Sequence, residues 1–261
     1  IKLNDESGKK NLSIALDWMH KTFVDAPVLG SLINPRKSDA AKIVEWDELE
    51  GALNQALTIN IENESDEQHE ASIVAQGMAK AASLLAGQYS WVITNVPYLG
   101  RGKQSDSLKD YCEQKYTEAK NDLATVFLDR CLELCEQGGT SSIVLPQNWL
   151  FLTSYKNFRE KLLESYTWNM IARLGPGAFD TISGEVVKAV LITLTNTVAT
   201  IETKLTGIDV TELTTSNEKD NGLVNLEVKS IGQLHQKDNP DSIILLDEQD
   251  KGSLLSTEGP G

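Results

Sequence analysis

Asn95, Val96, Pro97 and Tyr98 place a side-chain amide, a proline-directed carbonyl and an aromatic ring within four consecutive residues. They follow Trp91-Val92-Ile93-Thr94, whose Trp and β-branched side chains read as a buried strand stopped by Asn and Pro. A polar tip is thereby held at a strand end. Pro97 fixes its own φ and drives Val96 towards extended backbone, so the Val96 carbonyl is aimed. The Asn95 amide adds a second acceptor, and Tyr98 offers a flat face for stacking. Two acceptors and a ring suit a planar base that carries an amino group. The lone pair of such an amine is delocalised into its ring, and the nitrogen is a poor nucleophile until preorganised acceptors draw on its protons. The plainer reading of the same residues is a Pro-Tyr turn after a core strand.

The elements that must hold this tip are legible in part. Asn11 to Val24 carries Leu12, Ala15, Leu16, Met19 and Phe23 on one helical face. Ala26 to Pro35 reads as a loop, Asp47 to Leu57 as a short helix, Asn60 to Glu70 as an acidic linker and Ala71 to Leu85 as an Ala-rich helix. Beyond the tip, Gly100, Arg101, Gly102, Lys103, Lys109 and Lys115 form a basic stretch that either meets phosphate oxygens or is a solvated connection. Asp122 is placed to cap a helix whose buried face is Ala124, Phe127, Leu128, Cys131, Leu132 and Cys135, with Gly138-Gly139 ending it. Ser141 to Leu145 is a second buried strand closed by Pro146. Ser154 to Ser165 is a helix with Tyr155, Phe158, Leu162 and Leu163 inward and Arg159 and Lys161 outward. Trp168 to Leu174 and Val186 to Thr195 are strands. Asp209 to Asp220 is polar, Leu223 to Val228 and Ile243 to Leu246 are short strand candidates, and Gly252 to Gly261 is a tail.

Composition narrows the function. The 261 residues carry 38 acids against 24 bases, a net charge of −14, which argues against a surface that grips nucleic acid over its whole area but leaves room for a local basic face. No apolar run approaches the roughly 20 residues of a membrane helix, and no signal pattern opens the chain, so a cytoplasmic protein without membrane contact is expected. Cys112, Cys131 and Cys135 form no CxxC pair and read as reduced, packed thiols, while His20, His69 and His235 lack ligand spacing, so no metal site is expected.

Asn95-Val96-Pro97-Tyr98 resembles motif IV of the DNA adenine methyltransferases, usually Asn/Asp-Pro-Pro-Tyr, and most closely that of the large bacterial type II methylases of the Eco57I-like and phage-resistance type. "VLGSLI" at Val28 to Ile33 and "NDLATVFLDRCLELCEQGGTSSIVLPQNWL" at Asn121 to Leu150 are similar to further blocks of the same methylases, the second covering motifs V and VI. The strand-loop-strand around "GPGAFDTISGE" is similar to motif VIII. The resemblance runs over roughly Val28 to Thr195. It implies that Asn95 and the Val96 carbonyl bind the exocyclic amine of an adenine flipped out of double-stranded DNA, that Tyr98 stacks on the base and that Pro97 stiffens the loop; Val96 departs from the usual Pro. Arg101 and Lys103 become substrate-binding candidates. So does Phe179, for which an ordinary loop anchor is an equal reading. Asp122 either supports the loop or reaches the cofactor edge.

The implied fold is α/β, part of a methyltransferase-type (Rossmann-like) sheet with flanking helices and a closing antiparallel strand pair. The implied cofactor is S-adenosylmethionine. Its Gly-rich motif does not precede Trp91, and Gly100-Arg101-Gly102 and Gly175-Pro176-Gly177 lack the strand-turn-helix context, so that motif is expected upstream of Ile1 in a larger protein. The expected organisation is a helical lead-in over 1–86, the catalytic half of the methyltransferase domain over 87–200 and a connection towards a target-recognition region over 201–261. Restriction-modification or defence-system subunits are candidate partners. The alternatives are a catalytically degenerate fragment that binds DNA or a subunit, and a methyltransferase acting on RNA or protein.

Overall fold

The computed structural model describes Asp17 and residues 20–37, 66–178 and 187–247. They fall in two units, Ile1–Gln88 and Tyr89–Gly261. In the first unit Asp17 and His20 to Phe23 are helical, and the stretch expected as a loop around Val28 to Ile33 is built of a helical turn, Ala26–Leu29, and a 3-10 turn, Gly30–Leu32. The spacing of Leu29, Leu32 and Ile33 explains the difference, because one turn of helix buries all of them together. Helix α1, Asp66–Ala86, takes in the last residues of the expected acidic linker, since no Gly or Pro separates Asp66 from Gln76. The expected helix at Asp47 to Leu57 and the tail from Gly252 lie outside the described residues.

The second unit is organised by a six-stranded mixed sheet of β1 (Tyr89–Asn95), β2 (Cys135–Pro146), β3 (Thr167–Gly175), β4 (Ala189–Thr195), β5 (Lys204–Asp209) and β6 (Lys229–Gly232), in the order β1-β2-β4-β3-β5-β6. β1 runs parallel to β2 and β3 parallel to β5, whereas β4 is antiparallel to both β2 and β3. The expected antiparallel pair is therefore β3–β4, and two further strands continue the sheet beyond it. The carboxyl ends of β1, β2, β3 and β5 meet along one edge, at Asn95, Pro146, Gly175 and Asp209. That edge is where open α/β sheets bind ligands.

Several local expectations yield to tertiary constraints. β1 is not buried. It has β2 alone beside it, and its Trp91 and Ile93 are 63% and 71% exposed on one face. Gly138-Gly139 does not end a helix but lies within β2, which begins at Cys135 directly after helix α3 (Leu123–Glu133). A Cβ on Gly139 would stand 2.6 Å from the Tyr89 carbonyl oxygen, so the glycine lets β1 and β2 approach. The basic stretch contains helix α2, Asp106–Lys115, opened by the Ser105 side chain accepting from the Leu108 N–H at 3.4 Å. The first half of the strand candidate at Leu223 to Val228 lies in helix α5, Ser216–Asn225, which Thr215 and Glu218 open with a reciprocal capping box. Ile243 to Leu246 makes no strand; its side chains are buried and the Ile244 N–H donates to the Leu150 carbonyl at 3.1 Å.

The core beneath this edge centres on Trp149, whose ring centroid lies 5.7 Å from Phe158 and 5.9 Å from Trp168. Phe158, Leu162 and Leu163 come from helix α4, Lys156–Ser165, which follows a 3-10 turn at Thr153–Tyr155. Arg159 on the same helix points inward, contrary to its expected outward face, and is 0% exposed. Its guanidinium donates to the carbonyls of Trp149 (2.5 Å), Leu152 (2.8 Å), Asp241 (2.7 Å) and Ser242 (3.1 Å). Burial pulls its pKa down to about 10. Among the described residues, Asp241 and Ser242 are the non-glycine residues at positive φ, 50° and 54°, and the turn they make presents those carbonyls to Arg159. Truncation of this side chain would orphan several buried acceptors. Arg159→Ala is expected to lower stability by about 3 kcal/mol or more, read as a lower urea midpoint.

Candidate active-site loop

Asn95 ends β1, and the chain leaves the sheet at Val96. The Val96 side chain is 5% exposed while Asn95 and Pro97 are exposed and Tyr98 is half-buried. Val96 therefore works as an anchor: its β-branched side chain takes the apolar side, and its carbonyl accepts from no described residue. Tyr98 Oη donates to Asn95 Oδ1 at 3.1 Å, so the phenol and the amide meet over the same turn. Burial raises the Tyr98 pKa, and the nearby Asp122 carboxylate raises it further.

Asp122 is the element that holds the loop. Its Oδ1 accepts from the Ala124 N–H at 2.8 Å, capping α3, and from the Leu99 N–H at 3.4 Å. The Leu123 N–H donates to the Leu99 carbonyl at 3.0 Å, the Arg101 N–H donates to the Asn121 carbonyl at 2.9 Å, and Gly100 bridges Asp122. Residues 99–101 are thus zipped to 121–123. Gln104, which no sequence pattern singles out, is buried and donates to the Leu99 carbonyl at 3.0 Å. A lone Gln in a polar stretch gives no signal of such a contact.

The basic residues after the loop are mostly spoken for. Arg101 pairs with Glu113 at 2.6 Å, Lys120 reaches the other oxygen of Glu113, and Lys109 pairs with Asp106 at 3.3 Å. The hydrogen bond from Lys120 holds the Glu113 carboxyl below its usual range. Lys103 is exposed and pairs with no described carboxylate, so of Arg101 and Lys103 it is the residue free to meet an anion. Phe179 lies outside the described residues. At the far end of the same edge Arg173 pairs with Asp209 at 2.8 Å and stacks over the Phe151 ring at 4.8 Å, a cation–π contact of about 0.5–2 kcal/mol. All three cysteines are buried thiols that form no disulfide.

The chain is similar to several known proteins. A family model described as Eco57I restriction-modification methylase matches residues 11–179. The adenine-specific methyltransferase BrxX of Escherichia coli O9:H4 (strain HS) is 33% identical over 167 residues, 64% of this chain and 13% of BrxX. The adenine-specific methyltransferase PglX of Lacticaseibacillus casei (strain Zhang) is 34% identical over 113 residues, 43% of this chain and 9% of PglX. The chain therefore spans a small part of these relatives. A type I restriction-modification methyltransferase subunit from Streptococcus thermophilus superposes with a TM-score of 0.42 at 16% identity, covering 60% of this chain and 37% of that one.

Because one carboxylate both caps α3 and ties Leu99, Asp122→Ala is expected to cost about 1–2 kcal/mol. Amide exchange should show it directly, with the Leu99 and Ala124 N–H groups losing protection together.

Proposed function

We propose, on the premise that this chain belongs to the Eco57I restriction-modification methylase family, that it supplies the amine-binding loop of an enzyme that methylates the exocyclic amine of adenine in DNA, with S-adenosylmethionine as methyl donor. The observation that carries the reading is the pair of acceptors at the end of β1, Asn95 Oδ1 and the Val96 carbonyl, with the Tyr98 ring beside them. The two relatives' names, both adenine-specific methyltransferases, support adenine as the base. Double-stranded DNA with the adenine flipped out is the substrate in this reading, because the amine is otherwise enclosed in the stack.

The described residues do not fit the methyl donor. No strand among them ends in a Gly-rich turn that opens a helix: Gly100 leads into a 3-10 turn, Arg101–Lys103, and Gly175 sits at positive φ with a Cβ position 2.9 Å from the Thr211 side chain. No step is therefore derived through that group, and Asp122, engaged with Leu99 and Ala124, is a loop support in this reading.

The chain's own residues account for binding and activation of the amine. Its two N–H bonds point to Asn95 Oδ1 and the Val96 carbonyl, and both hydrogen bonds strengthen as the nitrogen lone pair leaves the ring. Asn95 Oδ1 has two acceptor sites, so it takes the amine while still holding the Tyr98 hydroxyl, which orients the amide. Val96 in place of the usual Pro keeps its carbonyl aimed because its buried side chain, rather than a ring, fixes the backbone. Lys103 is the candidate phosphate contact, and Phe179 remains the candidate second face for the base. Residues 201–261 carry β5 and β6, and in this reading lead on to target recognition.

The test is methyl transfer by the intact gene product, with labelled S-adenosylmethionine and mixed-sequence DNA, and RNA and protein as controls. Asn95→Ala is expected to lower label in DNA by on the order of 10²-fold or more, and Tyr98→Phe, which keeps the ring and loses the hydroxyl, by about tenfold in kcat with KM little changed. Full activity in Asn95→Ala, or label in RNA or protein alone, overturns the reading; DNA bound without transfer in every form points to a binding module.

A further inference from the structure

Beside the Asn95 loop, and including none of Asn95, Val96, Pro97 or Tyr98, a half-open cavity of about 250 Å³ lies between the start of α3 and the turns that follow β2. Trp149 and Tyr155 are its buried walls, and Leu152, 50% exposed, is its outer lip. Asp122, Asn148 and Ser154 bring polar groups to it. The side chains of Asn148 and Ser154 bond to no described residue. Asp122 commits Oδ1 to Leu99 and Ala124, and its Oδ2 accepts from no described donor.

We propose that this cavity is a second seat for a nucleobase, selective for bases that carry an exocyclic amine. Its volume falls below the roughly 300 Å³ at which pockets for whole ligands begin, so it has room for a planar ring system and not for a complete nucleotide. A carboxylate lines it and no Lys or Arg does, which disfavours phosphate. The free Asp122 oxygen is an acceptor for an amine, as carboxylates accept from cytosine N4, and the Asn148 amide can both donate and accept at the neighbouring ring positions. Thymine offers a carbonyl where the amine would be, opposed to the carboxylate. Trp149, Tyr155 and Leu152 supply apolar walls of the kind on which bases stack. On the DNA-directed reading above, from which the ligand class follows, the seat takes a nucleotide next to the adenine, not the adenine itself.

Free nucleosides separate this seat from the Asn95 loop. The probes are 2′-deoxycytidine and thymidine, neither of which carries the adenine that the Asn95 loop takes, titrated against the protein up to roughly 10 mM with saturation-transfer NMR as the readout. 2′-Deoxycytidine is expected to bind about tenfold or more tightly than thymidine. Ser154→Phe, which fills the mouth from an exposed position, should abolish binding of 2′-deoxycytidine, and Asp122→Asn should bring the two nucleosides to within about twofold of one another. The proposal is overturned if thymidine binds as well as 2′-deoxycytidine, if 2′-deoxycytidine binding survives Ser154→Phe, if Asn95→Ala removes it, or if neither nucleoside binds. Those failures leave the methyl-transfer result of Asn95→Ala standing, and loss of that result leaves the seat standing.

Discussion

The loop at the end of β1 depends on one carboxylate. A strand that ends in Asn-Val-Pro-Tyr leaves the sheet with few neighbours, and Pro97 removes one N–H that would otherwise tie it down. Asp122 supplies the missing tether by accepting from Leu99 at 3.4 Å while capping α3 at 2.8 Å. Helix, loop and strand end thus share a single fixed point. The two acceptors are held in place before any amine arrives, which is the condition under which such groups act on a developing charge without reorganising.

A second fixed point lies behind the first. Arg159 has no carboxylate within its shell of hydrogen bonds and is instead held by four carbonyls, two from the turns after β2 and two from the Asp241-Ser242 turn. Those turns also present Trp149, Leu152 and Tyr155 to the cavity beside the loop. A buried cation is costly, and neighbours that satisfy it become hard to move. The left-handed conformations of Asp241 and Ser242 are maintained by that same set of contacts, together with Thr153 Oγ1 donating to Asp241 Oδ2 at 2.8 Å and Ser242 Oγ to Glu160 Oε1 at 2.8 Å. A segment remote in sequence is in this way part of the support behind the sheet edge.

The charge of the molecule acquires a local meaning. An overall excess of acid would repel DNA at a distance, and the basic stretch after the loop spends Arg101, Lys109 and Lys120 on its own carboxylates. Exposed pairs of this kind contribute little stability, about 0–1 kcal/mol each. Their effect here is to order α2 and the 3-10 turn beside the site, leaving Lys103, among the described residues, as an unpaired cation next to the acceptor loop.

The residues of the loop, the Asp122 cap, α3 and the β3–β4 pair were legible in sequence because each rests on contacts within a few residues: a strand stopped by Asn and Pro, an Asp one position before a helical pattern, and alternating apolar side chains. The tertiary structure alone decided the rest. It placed β1 at the sheet edge, where Trp91 and Ile93 face outward, and it used Gly139 for a close strand approach where local rules read a helix end. It turned Arg159 inward, since a helical pattern ranks side chains by polarity and cannot know that carbonyls more than 80 positions away need a donor. The capping box at Thr215 and Glu218 was readable in principle, yet the β-branched residues of the following stretch outweighed it until β5 and β6 fixed where α5 must lie. Periodicity reports which face of an element is apolar. Which polar groups meet across elements is settled only when distant backbone donors and acceptors must all be satisfied at once.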